Sequence, residues 1–154
     1  REALAQDLFR MGNVLQRLGI LRIAAEHHGS SFQLSPSPEA ACYLGMTFAD
    51  DEEDGLAWQR LAIETNPNYG GSWNEIGESL LQRGQAEMAI KWFRGAINSV
   101  NYCERGAAWA NLARAHLEMG RTTSALFAAQ EAAALMPDED ELDELLEQLT
   151  DDLA

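Results

Sequence analysis

The chain has 154 residues, 25 acidic against 11 basic, for a formal net charge of −14. That balance excludes a nucleic-acid-binding surface, which needs a basic stripe to displace phosphate counterions. Hydrophobic residues make up 46% and charged residues 23%, ordinary for one globular domain with a sizeable core, and no stretch approaches the about 18 unbroken apolar residues of a membrane span.

The first copy of a recurring pattern occupies residues 5–38, where Leu8, Met11, Gly12, Leu15, Gly19, Ala24, His28 and Pro36 set the spacing. The second, over residues 38–69, is degenerate. Leu44, Gly45 and Phe48 reproduce its opening and Ala62 and Pro67 its end, but the halves align only if about two residues are missing near Asp50–Gly55, the expected inter-helix turn. The third, over residues 70–103, carries Trp73, Ile76, Gly77, Leu80, Gly84, Ala89, Phe93 and Ala96. About two extra residues follow in Asn101–Gly106. The fourth, over residues 106–139, repeats the offsets with Trp109, Leu112, Ala113, His116, Gly120, Ala125, Ala129, Ala132 and Pro137.

Within each half-copy apolar residues recur three, four and seven apart, the signature of an amphipathic helix. Small residues at the eighth position (Gly12, Gly45, Gly77, Ala113) let paired helices approach closely. Gly19, Gly84 and Gly120 fall where a left-handed helix C-cap favours glycine, and Pro36, Pro67 and Pro137 end the second helices. Nothing alternates with period two for long enough to make a strand, so the expected class is all-α. From about residue 139 to 153 a last helix is predicted, acidic at its start where the helix dipole favours negative charge. Its apolar face is Leu142, Leu145, Leu146, Leu149 and Leu153, as expected of a terminal cap on a repeat stack.

The pattern resembles the tetratricopeptide repeat, W-x2-L-G-x2-Y followed by Ala, an aromatic, Ala and Pro. Here it reads Trp73-x2-Ile76-Gly77-x2-Leu80 and Trp109-x2-Leu112-Ala113-x2-His116, and the resemblance spans about residues 5–139. Gly55 stands for the usual Ala in copy two, Asn101 for the usual Pro in copy three, and copy one lacks the Trp. The resemblance implies one domain, a right-handed superhelical solenoid of helix hairpins with a concave groove lined by first helices. By position, that groove would draw on Phe9, Asn13 and Arg17, then Cys42 and Met46, then Asn74, Glu78 and Gln82, and finally Ala110, Arg114 and Glu118. The carboxylate clamp of the chaperone-binding subgroup is not assembled. Phe9 stands where that clamp needs a cation, and Arg114 falls one turn further along its helix.

No phosphate loop, HExxH, GxSxG or EF-hand spacing is present, so neither catalysis nor a cofactor or metal is expected. Asp50-Asp51-Glu52-Glu53-Asp54 lacks the ligand alternation of a calcium loop and reads as a solvated turn. His27 and His28 point about 100° apart on a helix, so they do not chelate one ion together; His28 and His116 fall at core-aromatic positions. Trp58, Trp92 and Phe93 read as core residues of second helices. Cys42 and Cys103 form no CxxC pair and read as small buried hydrophobes.

The function expected is a protein-interaction module that holds an extended peptide or helix of a partner, basic by charge complementarity. The alternative is an architectural part that self-associates or joins a longer array. The start at Arg1 rather than Met reads as trimmed or processed, leaving room for further repeats upstream; cytoplasmic residence is favoured over export.

Overall fold

The computed structural model describes residues 1–48 and 52–154, with only the backbone at Glu52. Among the described residues there are nine helices and no strands: α1 (Glu2–Arg17), α2 (Leu21–Leu34), α3 (Pro38–Met46), α4 (Glu52–Thr65), α5 (Gly70–Gln82), α6 (Ala86–Ile97), α7 (Arg105–Glu118), α8 (Thr122–Leu135) and α9 (Asp140–Leu153). They form two compact units, Arg1–Ser72 and Trp73–Ala154. None of the helices is long and apolar enough to cross a membrane among the described residues.

Local sequence decides where the helices stop. Gly19, Gly84 and Gly120 have φ of +74°, +74° and +69°, values that cost a side-chain-bearing residue strain but glycine little. Each closes the same two-bond cap. The Gly19 N–H donates to Gln16 O at 3.0 Å and the Ile20 N–H to Leu15 O at 2.9 Å. Gly84 and Gln85 repeat this on Leu81 and Leu80, and Gly120 and Arg121 on Leu117 and His116. Helices α2, α4 and α8 each end two residues before Pro36, Pro67 and Pro137. Helix α3 starts with Pro38 in its first turn and Ser37 as N-cap, whose Oγ accepts from the Ala40 N–H at 3.1 Å.

In the first unit Ala41, Cys42 and Ala62 are packed by Phe32, Trp58 and Tyr69. The Phe32 and Trp58 rings meet edge-on with centroids 5.4 Å apart. His28 is fully buried, between the Phe9 and Tyr43 rings at 5.5 and 5.6 Å, and its Nε2 shares a 3.2 Å hydrogen bond with Gln16 Oε1. Burial, and secondarily the charge of His27, pushes its pKa down to about 4. His28 is therefore a neutral core residue at physiological pH, and a Cβ on Gly12 would lie 2.5 Å from its ring.

The second unit is centred on Ile90, Phe93, Leu112, Ala125, Ala129 and Leu149. Phe93 is completely buried. A Cβ on Gly77 would come within 2.5 Å of its ring, which is why that position is glycine. Helix α9 packs on α8, with Leu149 and Leu142 buried and Leu145 and Leu146 half-buried; Leu153, in its last turn, remains 46% exposed.

Two expectations change. Of the turn placed at Asp50–Gly55, residues 52–55 belong to α4, which begins at Glu52; the acidic run over Asp50–Asp54 lies partly outside the described residues, and its Glu52–Asp54 part is helical. Cys103 is exposed, not buried. It belongs to the linker between α6 and α7, where Asn101 takes a φ of +61° that asparagine tolerates better than most residues. The extra residues before the fourth copy thus form a surface connection, and their apolar content makes no helix face.

Candidate functional site

The sequence-selected polar residues of the second unit are brought together by helical spacing. Asn74 and Glu78 are four apart on α5, and Asn111 and Arg114 three apart on α7, so each pair shares a helix face. Across the helices the Asn111 amide nitrogen donates to Glu78 Oε1 at 2.7 Å and to Asn74 Oδ1 at 3.2 Å. Asn74 Nδ2 donates to the same Glu78 oxygen at 3.4 Å. The Arg114 guanidinium donates to Asn111 Oδ1 at 3.0 Å and reaches Glu141 of α9 at 3.8 Å. Asn74 and Asn111 are only 6% and 4% exposed, whereas the Arg114 side chain is 56% exposed. Satisfied buried amides thus hold a guanidinium at the surface in a defined direction, with donors to spare.

Beside Arg114 lies a cleft of about 240 Å³ bordered by Ala110, Met136, Glu139 and Leu142. Its mouth is acidic through Glu139 and Glu141. Glu75, on α5, is half-buried; burial, then the charges of Glu78 and Glu104, push its pKa up to about 7. Gln82 and Glu118 are exposed further along α5 and α7. In the first unit Phe9 is half-buried against His28 and Tyr43, Asn13 is half-buried, and Arg17 and Met46 are exposed. Cys42 is 2% exposed, and its carbonyl accepts from Gln59 Nε2 at 3.0 Å, so it presents no side chain to a ligand.

Sequence reasoning missed Asn111 and Glu75. For Asn111 the signal was present: it precedes Arg114 by three residues and therefore shares its face. For Glu75 only the Glu78 charge three residues on was legible; its burial and the approach of Glu104 from a linker were not.

Residues 70–99, which include α5 and α6, match the model of the tetratricopeptide repeat. The chain carries a tetratricopeptide repeat. No curated protein sequence matches the chain. A structure of pilF from Pseudomonas aeruginosa is similar to it with a TM-score of 0.89 at 18% identity, covering 97% of this chain and 68% of that one. MamA from Desulfovibrio magneticus RS-1 is similar at 0.73 and 18% identity over 94% of this chain and 82% of its own. A further MamA structure gives 0.70 and 21% over 89% and 81%. At these identities the likeness is one of fold: an all-α arrangement of tetratricopeptide-type helix hairpins. Proteins of this repeat type typically act as protein-interaction modules.

Proposed function

We propose that the repeat of the second unit holds a segment of another protein across the α5–α7 face. The observation that carries this reading is the Asn74–Glu78–Asn111–Arg114 network, in which buried amides orient an exposed guanidinium beside a cleft. Such preorganisation removes the entropy cost of ordering the guanidinium when a ligand binds. Arg114 acts as the hydrogen-bonding anchor for the ligand backbone, with Asn74 and Asn111 holding it in place from beneath, and Glu118, Glu139 and Glu141 favour a basic segment around it. The pairs α1–α2, α3–α4 and α7–α8 are proposed as further repeats beside α5–α6, with Phe9, Asn13, Arg17 and Met46 as binding positions of the first unit and Gln82 as the outer contact on α5.

The test is selection from a displayed peptide library on the immobilised chain, with parallel selections on Asn74→Ala/Arg114→Ala and on Asn13→Ala. Peptides enriched by the parent and lost by the double variant, with helicity unchanged, support binding at the second unit. Identical peptides from parent and double variant overturn it.

The architectural reading has its own observation. Leu4, Met11 and Val14 on α1 and Leu18 at its C-cap are 55%, 53%, 49% and 68% exposed, more apolar surface than a solvated helix needs. A mass that doubles with concentration and reverts in Met11→Glu favours self-association; a monomer throughout removes it.

A further inference from the structure

The opposite side of α7 borders a larger cleft, of about 420 Å³. Trp109, Leu112 and His116, three and four residues apart, form the α7 side, and Phe127 of α8 and Arg94 of α6 stand across it. Asn111 and Arg114 point elsewhere around the helix, so this cleft is distinct from the face proposed above. Trp109 and Phe127 meet edge-on with centroids 5.8 Å apart. Phe127 is nevertheless 57% exposed, an aromatic left without a full set of neighbours.

The electrostatics around the cleft run against those of the chain as a whole. The net charge is −14, yet no carboxylate borders this cleft, and Arg94 is its sole permanent charge among the described residues. The neighbouring Arg121 is paired with Glu87 at 2.7 Å. Arg94 has no such partner: its exposed side chain makes neither ion pair nor hydrogen bond among the described residues. His116, 5% exposed, borders the same cavity, and its Nδ1 is buried without a hydrogen-bond partner. Burial, then the charges of Arg94 and Arg121, lowers its pKa, so the imidazole is neutral and leaves Arg94 as the attracting group.

We propose that this cleft binds a small carboxylic acid, its apolar or aromatic body against Trp109 and Phe127 and its carboxylate paired with Arg94. A volume of about 420 Å³ suits a small molecule and is too small for a helix. One free cation calls for one negative charge. Tryptophan and phenylalanine edges favour an aromatic body over a branched aliphatic one, and the Thr123 hydroxyl at the border supplies a further donor.

The experiment titrates the uniformly 15N-labelled chain with 3-phenylpropionate, with its neutral analogue 3-phenylpropionamide, and with the peptide Ala-Ala-Phe. It follows the indole resonance of Trp109 among the four tryptophans. The expected result is saturable binding of the acid that shifts Trp109, with the amide weaker by about tenfold. Arg94→Gln weakens the acid by about tenfold and leaves the amide unchanged, and Phe127→Ala weakens both. Both side chains are exposed, so an unchanged spectrum elsewhere certifies the variants as folded. Equal affinity for acid and amide, no effect of Arg94→Gln, or no saturation at millimolar acid overturns the proposal. Tenfold tighter binding of Ala-Ala-Phe than of the acid also overturns it, in favour of a chain terminus.

Discussion

Replacing Glu75 with glutamine tests the electrostatics of the second unit with a definite sign. Burial, followed by Glu78 and Glu104, raises the Glu75 pKa from 4.5 to about 7. At about 1.4 kcal/mol per pH unit this is at most about 3 kcal/mol, and screening of a half-buried group reduces it to roughly 1–2 kcal/mol. Between pH 4.5 and about 7 the folded chain keeps a proton that the unfolded chain has released. The stability Glu75 contributes is therefore complete below pH 4.5 and lost as pH rises through about 7. Glu75→Gln has no carboxylate to ionise, so its advantage over the parent should be near zero at acid pH and reach roughly 1–2 kcal/mol at pH 8. His28 works in the opposite direction. Its pKa is depressed from 6.5 to about 4, so its contribution is complete above pH 6.5 and lost as pH falls through about 4. It is present in both proteins and cancels in the difference. Urea melts of parent and variant from pH 4 to 8, followed by tryptophan fluorescence, measure that difference without the salt of an ionic denaturant. A flat difference, or one that grows towards acid pH, would refute the burial of Glu75.

Two glycines separate close approach from backbone strain. Gly77→Ala should cost about 1–3 kcal/mol in chemical denaturation because its new methyl meets the Phe93 ring, and the double variant Gly77→Ala/Phe93→Leu should recover part of that loss. Gly84→Ala, with open space around it and a φ of +74°, should cost about 1 kcal/mol from backbone strain alone, and no partner truncation should rescue it. Leu149→Ala should cost about 2–5 kcal/mol, since the side chain is fully buried; a loss under about 1 kcal/mol in the same melts would mean that α9 is not docked. Asn111→Ala should destabilise by about 1–3 kcal/mol by leaving Glu78 and Asn74 without their shared donor, and Asn74→Ala combined with it should add less than its own separate cost.

The helices, their order and most of their ends were legible in the residues because those features are local. A period near 3.6 marks a helix, Gly19, Gly84 and Gly120 accept the left-handed cap, and Pro36, Pro67 and Pro137 forbid continuation. The burial of His28, His116 and Phe93 followed from the repeat register, since each occupies the place of a core aromatic. Register failed where it broke: the second copy has no glycine after its first helix, and Cys103 sits in a connection with no period.

What the tertiary structure alone decided is which polar atoms meet. Asn74, Glu78 and Arg114 could be chosen by position, but Asn111 as the donor that joins them depends on how α7 is rotated against α5. The burial that, ahead of the Glu78 and Glu104 charges, raises the pKa of Glu75, and the unpaired Arg94 beside an aromatic cleft, likewise arise only when the helices pack. Periodicity tells which face of a helix is buried to within about one residue step, 100° of rotation. Hydrogen bonds and ion pairs depend on a few tenths of an ångström, a precision set only when side chains of different helices pack together.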